Sequence, residues 1–193
     1  MMKKKICIII GVFLIILLVI GIIINHVDRG RVSTANRLND DTTIKTIDAF
    51  YNTILTQNKD IRNLPIEYTS FDAQKDNSFV IGAMVHNDYL YNEFMENYKN
   101  RKSSFIRVAQ NTVEGDLIIY DILYDEKSDT LYLVTDNTRD EFAAEADRKI
   151  ELKEFKNIAE YEYKNHLYWV LYNENITDEN FNTDNVFAIT TIN

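Results

Sequence analysis

Apolar residues run without a break from Ile6 to Ile24, "ICIIIGVFLIILLVIGIII", directly behind the cluster Lys3, Lys4 and Lys5. As a helix, this run would be roughly 28 Å long, close to the hydrocarbon thickness of a bilayer. The sequence therefore predicts a membrane-spanning signal anchor over residues 1–25. The alternative, a cleaved secretory leader, is disfavoured because such apolar cores are shorter and end at small residues, whereas "NHVDRGR" follows here. The lysines would hold the N-terminus in the cytoplasm and send the rest of the chain across, against a weaker pull from Arg29, Arg31 and Arg37.

Residues 26–41 are polar and aperiodic and read as a stalk. From Thr42 the spacing becomes helical, with Ile44, Ile47, Ala49, Phe50, Tyr51, Ile54 and Leu55 on one face. Asp41, Thr42 or Thr43 is the expected N-cap, and the helix should end before "NLPIEY". "SFVIGAMVH" then reads as one strand. "NDYLYNEFMENYKNRK" reads as a helix with Asp88 near its start and an apolar face of Leu90, Tyr91, Phe94, Met95 and Tyr98. Lys99, Arg101 and Lys102 suit its last turn, where cations favour the helix dipole.

The remainder is strand-like. "SSFIRVAQNTV", "DLIIYDILYDE" and "DTLYLVTDN" are separated by "EG" and "KS", short enough for hairpins. "IELKEFKNIAEYEYKN", "HLYWVLYNE" and "VFAITTI" add further strands, with "RDEFAAEADRK" an excursion between them. The fold class expected is α+β: an N-terminal transmembrane helix, then residues 42–193 as one domain with one or two helices packed on a mainly antiparallel sheet.

"TVEGDLIIYDILYD" carries Glu114, Asp116, Asp121 and Asp125. With Glu114 and Gly115 as a two-residue loop, Val113 faces Asp116 and Val108 faces Asp121. Asp116 and Asp125 then lie roughly 30 Å apart, so the four acids are no single cluster. Alternation puts Leu117, Ile119, Asp121, Leu123 and Asp125 on one face. Asp121 interrupts an apolar face there and needs a partner, solvent or a raised pKa.

Composition narrows the function. Hydrophobic residues make up 46% of the 193, enough for a packed core, and one Pro and 5 Gly leave little room for flexible linkers. All 30 acidic but only 18 of the 21 basic residues lie beyond Asn25, so the body carries about −12 of charge, more than the chain's −9. Such a body repels nucleic acid and suits basic partners or solubility. Cys7, the lone cysteine, excludes an intrachain disulfide, and its position at the start of the apolar run instead of its end does not suit lipoprotein processing.

Several residues invite chemistry. His86 ends a strand and begins a helix, where a side chain can point into a cleft, although a structural bond to the next turn explains it as well. Asp136, Arg139 and Asp140 in "DNTRD" either hold an anionic or peptide ligand through the forked guanidinium or form an Asx turn with an internal ion pair. His26, His86 and His166 have no zinc-ligand spacing, and Asp125, Glu126 and Asp129 lack the glycine and terminal Glu of a calcium loop. Tyr161, Tyr163, Tyr168, Trp169 and Tyr172 read as core or sheet surface before they read as a sugar platform. No phosphate loop or nucleophile elbow is present, and the sequence implies neither metal nor cofactor.

"FVIGAMVHNDYLYNEFMENY", "TVEGDLIIYDILYD" and "DNTRDEF", in that order over residues 79–142, resemble a family of small exported or membrane-attached domains of Gram-positive bacteria whose function is unknown. The family's pattern falls on His86, Phe94, Ile106, Arg107, Thr112 to Ile118, Tyr124, Asp125 and Asp136 to Phe142. Many of its members resemble lipoproteins with cysteines in the later strands, which this chain lacks. The resemblance implies a fold and a location and brings no activity.

The expectation is thus a membrane-anchored extracytoplasmic binding or interaction domain without catalysis, attached to the lipid bilayer through residues 6–24. A protein or cell-wall component is its expected partner, and His86, Asp121, Asp136, Arg139 and Asp140 its candidate binding residues. The alternatives are an enzyme with His86 as general base oriented by Asp121 or Asp140, and an accessory subunit of a membrane complex.

Overall fold

The structure is a computed structural model that describes residues 44–54, 60–181 and 186–190. The chain divides into two units, residues 1–43 and Ile44–Asn193, and all described residues lie in the second. The predicted membrane span and stalk lie outside them. Among the described residues no helix is long and apolar enough to cross a membrane.

Helix α1 spans Ile47–Thr53, and its N-cap is Thr46, whose hydroxyl accepts from the Ala49 N–H. The cap thus falls three residues beyond the latest one expected, because Ile44 is buried ahead of the helix and its N–H reaches the Tyr132 hydroxyl at 3.4 Å. A 3-10 turn follows at Ile61–Asn63, and then α2 at Ser70–Lys75. Helix α2 is too short to leave a periodic signal. It is fixed by a capping box in which Thr69 and Asp72 satisfy each other's backbone N–H groups.

The expected strand at "SFVIGAMVH" is instead two, β1 at Phe79–Ile81 and β2 at Val85–His86, folded back so that Ile81 faces Val85. Helix α3 covers Tyr89–Lys99 with Phe94 buried, and Arg101 and Lys102 lie beyond its end. The meander continues with β3 at Ser104–Asn111, β4 at Leu117–Asp125 and β5 at Thr130–Asp136, then β6 at Ile150–Phe155 after a loop containing a 3-10 turn at Glu145–Asp147. Strands β7 at Asn157–Tyr163, β8 at His166–Tyr172 and β9 at Val186–Thr190 complete the described chain.

The class is α+β, with two sheets in place of the single one expected. Strands β2-β1-β3-β4-β5-β6 form a mixed six-stranded sheet in which β1 runs parallel to β3, while β7-β8-β9 form a separate antiparallel sheet. The switch comes at Lys156, between β6 and β7, whose N–H leaves the first sheet for the Tyr172 carbonyl.

The larger sheet is covered on both faces, which explains why β4 reads as a nearly continuous apolar run. Tyr120, Ile122 and Tyr124 face a core closed by Phe94 of α3 and by Trp169, Leu171 and Ile189 of the second sheet. Tyr91 of α3 stacks on Trp169 with ring centroids 3.6 Å apart. Leu117, Ile119 and Leu123 face the opposite core, closed by Phe50, Ile61, Tyr68 and Ala73.

Candidate functional site

The β3–β4 hairpin sets the geometry of the most buried charges. Its loop has three residues, Val113 to Gly115, between Thr112 and Asp116, because the Thr112 N–H donates to the Asp116 carbonyl and the Thr112 hydroxyl accepts from the Asp116 N–H. Gly115 supplies the left-handed φ of 102° that closes this turn. The two-residue loop expected from "EG" is therefore one residue short. The corrected register puts Arg107, in place of Val108, opposite Asp121. A slip of one residue exchanges the faces of a strand, so this correction is what gives Asp121 its partner.

Asp121 lies on the face predicted for it, fully buried. Arg107 grips it with two hydrogen bonds of 2.6 Å, from Nε to Oδ1 and from Nη2 to Oδ2. The Tyr51 hydroxyl of α1 donates to Oδ2 at 2.7 Å. Burial opposes the charge on Arg107, but its hydrogen bonds with Asp121 and the attraction of that carboxylate outweigh burial and push its pKa upward. Burial, reinforced by the Asp121 charge, pushes the Tyr51 phenol upward and keeps it a donor.

Asp136, at the end of β5, is buried on the same face. Its Oδ1 accepts from the Thr138 N–H at 2.9 Å and hydroxyl at 2.6 Å, and its Oδ2 pairs with Arg139. Arg139 Nη2 also donates to the carbonyls of Leu64 and Pro65, at 3.3 and 3.0 Å. Asp140 Oδ1 caps the N–H groups of Phe142 and Ala143 at 3.1 and 3.0 Å. Of the two readings of "DNTRD", the geometry is that of the Asx turn with an internal ion pair.

His86 sits apart, on β2 at the sheet edge. Its Nδ1 lies 3.2 Å from Gln74 Nε2. An amide nitrogen only donates, so this contact takes the tautomer with the imidazole proton on Nε2, leaving Nδ1's lone pair occupied. The structure brings Asp136, Arg139 and Asp140 together in one loop. It gives His86 a hydrogen bond to Gln74 and not to Asp121 or Asp140, whose hydrogen bonds go to Arg107, Tyr51 and loop amides. Among the described residues no three His, Cys, Asp or Glu side chains group as a metal site.

Arg107, Tyr51 and Gln74 complete these arrangements without having been site candidates, although Arg107 falls in the family's pattern and Tyr51 on the apolar face of the first helix. For Arg107 a signal was present: it is the one charge in "FIRVA", as Asp121 is in "IIYDIL". Two lone opposite charges in adjoining strands fit one pairing register.

Trp169 is buried, and the tyrosines are half-buried on the sheet surface. Tyr161, Tyr163 and Tyr168 contact Phe181 in a small cluster on the second sheet.

The fold defines an α+β domain of two sheets whose buried charges are hydrogen-bonded inside it. A family model described as a domain of unknown function (DUF4362) matches residues 75–168, about half of the chain, and takes in the whole six-stranded sheet. Over that stretch the chain is similar to a domain of unknown function, as the resemblance of residues 79–142 implied. Neither the curated proteins nor the solved structures gave a match.

Proposed function

We propose that this chain is a single-pass membrane-anchored protein, with residues 6–24 in the bilayer and the N-terminus in the cytoplasm. Its body from residue 42 onward acts outside the cytoplasm as a binding or interaction domain without catalysis. The membrane part of this reading rests on the apolar run behind three lysines and on the acidic body that follows.

One observation supports the absence of catalysis: Asp121, Asp136 and His86, the groups best suited to chemistry, bond to partners within the fold. Asp121 holds Arg107 and Tyr51, Asp136 holds Arg139 and Thr138, and the His86 lone pair at Nδ1 accepts from Gln74. A general base needs a lone pair aimed at a substrate proton, whereas these groups are aimed at partners within the fold.

Protease added to intact cells should cut the body of the full chain, and cleavage only after lysis would overturn the location. Purified full chain should give no turnover with hydrolase substrates. A turnover that disappears in His86→Ala would overturn the absence of catalysis.

A further inference from the structure

The two ends of the six-stranded sheet differ in chemistry. At one end, residues 100–103 and 126–129 contain no apolar side chain. At the other end, four loops each present one in solvent: Val113 is 101% exposed, Ile66 87%, Phe142 72% and Met84 69%. Exposed Val85, on β2, follows Met84, while exposed Phe71 on α2 and Tyr89, whose hydroxyl donates to Asn77 ahead of β1, lie apart from this set.

Contacts between the loops make this one surface. A Cβ at Gly82, in the β1–β2 turn, would lie 3.6 Å from Asn111, next to the hairpin loop of Val113. Asp116 of that loop accepts from the Glu141 N–H at 2.7 Å, which fixes Phe142 beside it. Arg139 in turn holds the Leu64 and Pro65 carbonyls, which fixes Ile66. An apolar set held by polar bonds yet left in water loses free energy wherever it can be covered.

The charge around it selects what covers it. Glu67, Glu114, Glu141, Glu145 and Asp147 are exposed in the same loops. The basic residues of these loops are engaged: Arg139 with Asp136, Arg148 with the Glu141 and Ala143 carbonyls, and Lys149 with Glu151, while Lys75 lies over the Phe71 ring on α2. The surface is therefore apolar within a negative field, which repels anionic lipid and a second copy of the same acidic body.

Resting on the reading of the body as a binding domain, we infer that this loop end docks a protein segment that combines basic and apolar side chains. Val113 and Phe142 supply the apolar contact, and Glu114, Glu141 and Glu145 the attraction that orients it.

The test uses full chain in phosphatidylcholine nanodiscs and a fluorescent peptide alternating lysine and leucine, with empty discs as blank. Binding is expected, weakened about tenfold or more in Val113→Ser/Phe142→Ser and in Glu114→Lys/Glu145→Lys. All four positions are exposed, so the unfolding midpoint of each variant should match the parent. A control peptide with serine for leucine should bind at least about tenfold more weakly. Equal binding of both peptides, no binding above the blank, or indifference to both double variants overturns the inference. So does dimerisation, or recruitment to anionic vesicles, that depends on Phe142. These failures leave the absence of catalysis standing, whereas turnover lost in His86→Ala removes the binding reading itself.

Discussion

Arg107 and Asp121 face each other across β3 and β4 and meet in a two-point ion pair at 2.6 Å, with 5% and 0% of their side chains exposed. The pair lies among apolar residues beneath α1, where desolvation is costly and the gain depends on geometry. Tyr51 adds a third hydrogen bond to the same carboxylate. Tyr51→Phe should keep the ring packing and lose a bond to a charged acceptor, lowering stability by about 1.5–3 kcal/mol. Urea unfolding of the full chain measures this, and an unchanged midpoint would show that the hydroxyl contributes nothing.

The tyrosines make the fold sensitive to alkali. Burial first, and then the charge of Asp76, raises Tyr68 from 10.0 to about 12. Between those values the unfolded chain has lost the phenolic proton and the folded one keeps it, so stability present below pH 10 is lost as pH climbs toward 12. Tyr51 and Tyr91 shift in the same direction through burial, with Asp121 and Glu160 reinforcing it. Unfolding midpoints should fall through this window, and Tyr68→Phe should flatten the fall. A level midpoint up to pH 12 would contradict the assignment.

The hairpin turn offers a third check. Gly115 has a φ of 102° and no atom near a would-be Cβ, so Gly115→Ala meets strain without a clash. Its cost should be about 1 kcal/mol, seen in denaturant unfolding. A stabilising effect would mean that the turn does not need this conformation.

Arg139 closes the loop that follows β5. Arg139→Ala removes the ion-pair partner of buried Asp136 and the donor to the Leu64 and Pro65 carbonyls, and should cost about 3–5 kcal/mol. Arg139→Lys should recover little, because an ammonium cannot reach the carboxylate and both carbonyls as the fork does. Hydrogen exchange should quicken at residues 64–68 in both variants, and protection equal to that of the parent would contradict the role of Arg139 there.

The sequence made α3 and the central meander legible because each carries its own period over many residues. The apolar face of α3 and the inward position of Asp121 could therefore be read without coordinates. The register could not: "EG" suggests a two-residue loop, and only the backbone bonds of Thr112 reveal three. Helix α2 and the split of "SFVIGAMVH" escaped for a similar reason, since six residues, or three and two, repeat their period too few times to announce it. The second sheet was hidden because Lys156 interrupts pairing without interrupting strand-like sequence. Asp136, Arg139 and Asp140 were found as a group from "DNTRD", but whether their bonds turn inward or outward depends on the carbonyls of Leu64 and Pro65, about seventy residues away.

A double-mutant cycle on Arg107 and Asp121, followed by urea unfolding of the full chain, tests most directly whether the buried charges serve the fold and not a reaction. Asp121→Leu and Arg107→Met should each cost about 3–5 kcal/mol, while Arg107→Met/Asp121→Leu should regain most of that loss. Additive losses in the double variant, or single variants as stable as the parent, would contradict the account.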